Sequence, residues 1–486
     1  MSPSKSGSNL QPMRLQTRQP RSFRTMGAVL GIFTVIIVCG AVEASPKISL
    51  LLTGLSIATM VLFRISRFIW WPGAFIILFN GFAFASGTKV EAVCFALTLI
   101  MAIYLTARSV ISGQLTLRTS AIIVLAWIFI IVWFILMFVP NVPSIGDGVL
   151  GFRKSCGATF GLIIGVCWPR ESEKATVVRF IWKYLIVLVV ICIGVHEFDQ
   201  SFEQHLYRTA NIYTGLFNGK PRLQGIFAGP FHVSLASAFL IVAAIVVWFG
   251  PKNHPMDRLL AIISASVGVV GLVLAEVRTG YLALGLGFLT LLFFRQNDFS
   301  RRRAIRFATT LGFLVVLLLI IRPGIFTQID PAAASLSGLS SNSRALGRLA
   351  TWAAAGHLIA ASPIIGWGTG SAGDTLSNTF IAAGSQGVTP HNVLLKYAVE
   401  GGIPGLVLVV ALCITTLKTL SARTRKFSVV AFALLFLFCM FGDEIEALPV
   451  SLYVLAIIGL EVDPISMSNS QRLNRQSEST TPHSTS

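Results

Sequence analysis

The sequence predicts an all-α polytopic membrane protein with about 12–14 transmembrane helices and one long extramembrane loop carrying short helices. Composition is the first reason. Of the 486 residues 54% are hydrophobic and 12% charged, with a mean hydropathy of +0.76, whereas soluble domains carry about 25% charged residues. The second reason is that apolar runs recur from Met26 to Leu460, each bounded by charge, Pro or Gly. A bilayer that leaves no backbone group unsatisfied is crossed in this way. The third is a one-sided distribution of Lys and Arg among the loops.

The runs place spans near 26–42, 48–63, 68–85, 92–107, 121–139, 155–168, 180–195, 230–249, 259–275, 280–294, 307–321, 403–417, 428–441 and 448–460. These make fourteen, and the short runs at 155–168 and 448–460 set the lower figure of twelve. Residues 1–25 are Ser-, Gln- and Arg-rich and residues 461–486 Ser- and Thr-rich. Such segments cannot bury a core and predict disordered cytoplasmic tails. Between them, residues 26–321 hold helices 1–11 with a polar loop at 196–229, residues 322–402 form the large loop, and residues 403–460 hold helices 12–14. The first span reads as a retained helix and not a cleaved signal.

A net charge of +18 would suggest nucleic acid in a soluble chain. Here, 25 of the 38 Lys and Arg fall on the side of the termini and 12 on the other, with Lys183 inside a span. The 20 acids divide 7 to 13 in the opposite sense. This is the positive-inside pattern, so both termini are expected in the cytoplasm and the loops at 196–229 and 322–402 outside. Arg301–Arg303 and Arg423–Lys426 bracket the long loop as its anchors. The basic clusters are topology signals, and no nucleic-acid partner is expected.

All seven cysteines (39, 94, 156, 167, 192, 413 and 439) fall in predicted spans, with no Cys-x-x-Cys. They read as apolar packing residues. No Walker-type loop, internal repeat, heptad or Gly-x-Ser-x-Gly elbow occurs, so neither ATP nor another cofactor is expected. In the long loop Asp330 and Asp374 are isolated and no His pair stands at i, i+4. No metal site is expected.

Inside that loop, residues 324–342 are rich in Ala, Ser and Gly. Ser340 to Ser343 then offer N-caps, an Ala-rich run follows and Pro363 ends it, which predicts a helix over 343–362. Arg344, Arg348 and Trp352 are spaced i, i+4, i+8 and share one face of it. Next come Gly366-Trp367-Gly368-Thr369-Gly370 and a polar stretch leading to Pro390-His391-Asn392.

His391 is the first candidate for chemistry. Pro390 suits the start of a helix, which puts His391 in its first turn. There the macrodipole favours the neutral imidazole that a general base requires; the plain alternative is an interfacial histidine. Glu400 is nine residues on, and about 100° per residue turns it to the opposite face. A carboxylate partner for His391 would come from elsewhere, Glu276 being one source, while Glu400 caps or pairs near Gly401-Gly402, where the next span begins. Arg222, Arg278 and Arg348 are kept on the side depleted of basic residues. Forked guanidinium groups suit pyrophosphate oxygens; the alternative is snorkelling to lipid headgroups.

Arg222 with Gly225-Ile226-Phe227 and Pro230, then Arg278-Thr279-Gly280, Arg348 with Trp352, Gly366-Trp367-Gly368-Thr369-Gly370 and Pro390-His391-Asn392 through Glu400-Gly401-Gly402-Ile403-Pro404-Gly405 follow one another in an order that resembles the O-antigen ligase/polymerase superfamily, over about residues 220–406. Members are bacterial inner-membrane glycosyltransferases. The resemblance implies a GT-C-like fold and metal-independent glycosyl transfer at the periplasmic face. The implied donor is an undecaprenyl-diphosphate-linked glycan and the implied acceptor a growing glycan or lipid A core. Carried onto this chain, His391 activates the acceptor hydroxyl and Arg222, Arg278 and Arg348 hold the diphosphate, with Glu276, Trp352, Gly366, Gly368, Asn392 and Glu400 in support. The implied partners are the bilayer, the lipid-linked donor, the acceptor, and a chain-length regulator or export proteins. Pro230-Phe231-His232 stands where the family often has Pro-Asn, and His232 is expected to pack. The span count leans toward a polymerase over a ligase. The rivals are a transporter or flippase of lipid-linked oligosaccharide and a non-catalytic component of an export complex. Transporters place ionisable groups at mid-membrane on broken helices, whereas only Lys183 falls within a span predicted here.

Overall fold

A computed structural model describes residues 80–198, 220–249, 255–293, 343–373, 388–420 and 425–462, apart from positions 82, 86, 87, 443 and 447, and pieces within 201–204, 216–217 and 381–386. All lie in the unit Trp70–Ser486. The expected spans at 26–42, 48–63 and 307–321, most of that at 68–85, residues 324–342, the Arg301–Arg303 anchor and both tails fall outside the described residues.

The described chain is helical: α1 (Thr88–Ile111), α2 (Leu117–Leu136), α3 (Ile145–Val166), α4 (Glu171–Phe198), α5 (Pro230–Phe249), α6 (Pro255–Ala275), α7 (Arg278–Phe293), α8 (Ser343–Ala361), α9 (Val393–Thr419), α10 (Arg425–Phe441) and α11 (Val450–Glu461). Two antiparallel pairs of two-residue strands, β1 (Leu216–Phe217) with β2 (Lys220–Pro221) and β3 (Ile381–Ala382) with β4 (Ser385–Gln386), close short hairpins. Helices α1 to α6 and α9 are each long and apolar enough to cross a membrane, and α10 and α11 are shorter apolar helices. The protein is a multi-pass, all-α membrane protein, as the sequence predicts. Its sides are greasy: α1 exposes Ile100 and Ile103, and α2 exposes Val124 and Ile131. Such surfaces suit lipid and not water.

Three spans start well before their predicted runs, the one expected at 180–195 being α4, which begins at Glu171. The short run at 155–168 is the second half of α3, which starts ten residues earlier, at Ile145. Arg153 and Lys154 had ended the run by composition. In the fold Arg153 is buried and its Nη2 lies 2.9 Å from Glu91 Oε2 on α1, which neutralises it. The span expected from 403 likewise begins at Val393, because Lys396 and Glu400 pair with each other inside the helix.

Close helix packing comes from small residues. Gly157, Gly161 and Gly165 form an i, i+4, i+8 ridge on α3, and a Cβ on the last two would fall on the carbonyl oxygens of Leu452 and Ala456 of α11. Gly459 of α11 returns the contact against the Leu162 carbonyl. Lipid tails are as apolar as Leu, so close backbone approach of this kind drives association in a membrane. On the other side of the bundle Gly268 and Gly271 of α6 admit Ser237 of α5.

Helix α9 is broken at Gly402, whose φ of 66° and ψ of −167° are non-helical. Pro404 has no N–H to give to the Glu400 carbonyl four residues back, and the Ile403 N–H turns to Pro363 O at 2.8 Å. The two freed carbonyls are not left bare. Trp367 N–H donates to Val399 O at 2.9 Å and Gly368 N–H to Glu400 O at 3.0 Å. The Gly-Trp-Gly-Thr-Gly segment is therefore docked on the break, as buried backbone groups require.

Candidate active site

Helix α8 forms where the sequence predicts, and two of the three residues expected on one face, Arg348 and Trp352, are described there. Ala355 and Leu358 pack with Ala372, Val388 and Val399, with Trp367 and Leu395 at the margin. On the same face, Trp352 Nε1 donates to Pro390 O at 2.7 Å. Arg348 is one turn before Trp352 and half-buried. This bond ties the Arg348–Trp352 face to the turn bearing His391.

His391 itself stands apart from the expected position. Asn392, and not Pro390, starts the helix: it is the N-cap of α9, and its Oδ1 accepts from the Leu394 and Leu395 N–H groups at 3.0 and 3.2 Å. His391 precedes the cap with φ 46°, in the left-handed region. The macrodipole argument for a first-turn histidine does not hold, because the cap side chain occupies the amides that carry the dipole. Histidine reaches this backbone region more readily than most residues, but at a cost of order 1 kcal/mol. The fold holds it from both sides, through Trp352 on the Pro390 carbonyl and through Asn392 Nδ2 on the Met440 carbonyl at 3.3 Å.

The glycine segment lies against this turn. Ala372 pairs with Val388, and Thr389 Oγ1 donates to Gly373 O at 3.0 Å. Gly366 (φ 72°) and Gly368 (φ 92°) are both in the left-handed region, and a Cβ on Gly366 would collide with the Glu400 carbonyl. Glycine is required at both for backbone shape and close approach.

Glu400 neither faces His391 nor caps the next span at Gly401-Gly402. It is fully buried in a cluster. Its Oε1 is 2.6 Å from Lys396 Nζ and accepts the Gly370 N–H at 3.0 Å. Its Oε2 accepts from Trp133 Nε1 at 2.7 Å and Ser155 Oγ at 2.9 Å. Lys396, also fully buried, further contacts Glu446 Oε1 at 2.7 Å, Ser155 Oγ at 2.8 Å and Ala372 O at 3.1 Å. Truncating one partner of such a buried pair costs about 3–5 kcal/mol. Sequence reading passed over Lys396, Glu446, Ser155 and Trp133. One signal for Lys396 was available, its i, i+4 spacing to Glu400 at the edge of an apolar run.

Arg222, Glu276 and Arg278 form a second group. The Leu223 N–H donates to Leu274 O at 3.0 Å, which lays the Arg222 segment along the end of α6, where the Glu276–Arg278 turn begins. Glu276 has φ 50°, and Arg222, Glu276 and Arg278 are half-buried. The Arg222 turn is itself clamped: Glu203 Oε1 accepts from the Gln224 and Gly225 N–H groups at 2.9 and 2.7 Å, while its Oε2 lies 2.8 Å from His196 Nδ1. The polar loop was visible in the sequence, but this use of Glu203 was not. His232 packs as expected, its ring stacked on Phe227 at 6.4 Å.

The two groups share one end of the bundle. Gly280 and Gly287 of α7 meet Ser234 and Val242 of α5, so these two helices run parallel. Near its start α10 sets Phe427 beside Val246 and Val247 at the end of α5, and it meets Gly287 at Leu434. Helix α10 therefore runs against α7 and ends at the level where α7 starts with Arg278. Met440, in the last turn of α10, is where Asn392 is bound. Among the described residues no group of three or more His, Cys, Asp or Glu is arranged to hold a metal. The six described cysteines are free thiols, and Cys39 lies outside the described residues.

The fold is that of a multi-pass helical membrane protein with the histidine turn, the three arginines and the glycine segment at one end of its bundle. Residues 259–410 match the O-antigen ligase family, which supports the resemblance to the O-antigen ligase/polymerase superfamily read from the sequence. The matched stretch runs from α6 to the middle of α9 and contains Glu276, Arg278, Arg348, Trp352, Gly366, Gly368, His391, Asn392, Lys396 and Glu400, while Arg222 precedes it. Compared with curated proteins, the chain finds no match.

Proposed function

We propose that the protein is a glycosyltransferase of the bacterial inner membrane that works at the periplasmic face. Its donor is an undecaprenyl-diphosphate-linked glycan, and it polymerises repeat units of an O-antigen or exopolysaccharide. Ligation of the glycan to lipid A core is the near alternative within the same chemistry. The observation that carries the reading is the coincidence of the family match with the gathered residues Arg278, Arg348 and His391. In this reaction the acceptor hydroxyl oxygen bonds to the anomeric carbon as the bond from that carbon to the diphosphate oxygen breaks. The hydroxyl proton passes to His391, and undecaprenyl diphosphate departs. A base at the incoming hydroxyl and fixed positive charge at the leaving diphosphate are the two needs of such a step. Forked arginines meet the second without further help. The transfer is assigned no metal or cofactor.

The transporter reading draws on one feature of the fold. Helix α9 is broken and carries Lys396 and Glu400 inside it, so the sequence argument that ionisable groups avoid the spans no longer counts against transport. These charges are, however, engaged by protein partners throughout. Reconstitution with labelled donor separates the readings, since a transporter moves the lipid across vesicles without changing glycan length. For the enzyme, His391→Ala and Arg278→Ala are each expected to leave the protein inserted and to abolish chain extension in the glycan profile. Normal polymer length from a stably inserted His391→Ala protein overturns the assignment.

A further inference from the structure

Lys396 and Glu446 belong to no role assigned above, yet they sit where α9, the glycine segment and the 444–446 turn meet. We propose that Lys396, Glu400 and Glu446 act as a positioning cluster, holding the 366–373 segment and the His391 turn in their working arrangement. The proposal rests on the reading of His391 as the group at the acceptor hydroxyl.

Three observations carry it. One ammonium lies between two carboxylates, at 2.6 Å from Glu400 and 2.7 Å from Glu446. The partners of the cluster come from five places, Trp133 on α2, Ser155 on α3, Gly370 and Ala372 in the glycine segment, α9 itself and the 444–446 turn. Lys396 is also fully buried, with four protein acceptors around its three protons. It has no face left for substrate and is therefore a positioning residue, not a catalytic one. Ionisable groups inside membrane helices are costly and tend to be kept for function. Apolar side chains of similar volume would hold the same helices together as well or better.

The charge count makes the idea testable. The cluster carries one negative charge in excess. Lys396→Met raises the excess to two, whereas Lys396→Met with Glu446→Gln restores it to one. The assay uses the full chain in nanodiscs with a synthetic polyprenyl-diphosphate-linked glycan, comparing equal amounts of folded protein. Lys396→Met is expected to lower kcat by about 100-fold, the scale of a 1 Å misplacement, with the donor KM changed less than about threefold. The double variant is expected to recover about tenfold of that loss. If Lys396→Met does not fold, Glu400→Gln, which keeps shape and a carbonyl acceptor for Gly370, is expected to lose about tenfold in kcat. Variants that turn over within twofold of the parent, or a double variant no better than the single, overturn the proposal. His391→Ala runs beside them: its full activity sinks the underlying reading of the site, whereas an inactive His391→Ala beside active cluster variants sinks the positioning role alone.

Discussion

At the scale of single residues, the left-handed backbone of His391 separates shape from chemistry. Asparagine tolerates φ near 46° as well as histidine does. His391→Asn is therefore expected to keep the melting temperature of the purified protein within a few degrees while lowering transfer by about 100-fold or more, the usual contribution of a positioned base. A matched loss of stability and activity would mean that the side chain supports the turn and nothing else. This residue also shows what the sequence could convey. The motif Pro390-His391-Asn392 marks the place, but the helix starts at Val393, three residues after Pro390. Asparagine is a strong N-cap, and weighing Asn392 against Pro390 would have put His391 outside the helix. The arginines stand out because the topology read from the sequence depletes their side of basic residues. Lys396 does not, because it is counted with the loop.

At the scale of elements, the break in α9 is the device that couples a membrane helix to the glycine segment. Its components are all visible in Gly401-Gly402-Ile403-Pro404, but the sequence cannot say which backbone groups receive the freed carbonyls. That depends on residues 366–368, more than thirty positions away. Gly402→Ala tests the coupling. A Cβ there would meet the carbonyl oxygens of Pro363 and Ile364, and φ 66° with ψ −167° is a region entered essentially by glycine alone, at a cost of about 1–3 kcal/mol to other residues. The variant is expected to release the bonds from Trp367 and Gly368 and to speed hydrogen exchange at both amides by at least about tenfold, the factor that follows from 1.4 kcal/mol. Unchanged protection at 367 and 368 would show that the segment is held by Glu400 and Ala372 alone.

At the scale of the whole molecule, most of the described spans were legible and the partners of each were not. Apolar runs mark a helix because the bilayer demands length and greasiness, but they say little about which helix lies beside which. The exception is written in glycine. The ridge Gly157-Gly161-Gly165 was present in the sequence, within the run counted as one of the two short spans, and charges at 153 and 154 hid its full length. The structure makes this ridge the seat of α11, which follows the 444–446 turn that carries Glu446 to Lys396. A defect in the seam should therefore be felt at the site. At Gly161 an added Cβ meets the backbone oxygen of Leu452, which no rotamer change can relieve. Gly161→Val must push α11 outward, and overpacking of this kind costs about 1–3 kcal/mol. Because the 444–446 turn leads directly into α11, the shift should reach Glu446 before it unfolds the bundle. The variant is expected to insert, to melt several degrees lower in detergent and to lose transfer activity beyond its loss of folded protein. Gly285→Val on α7, where an added Cβ meets open space, is the control expected to do neither. Equal behaviour of the two variants would remove the seam from any account of the site.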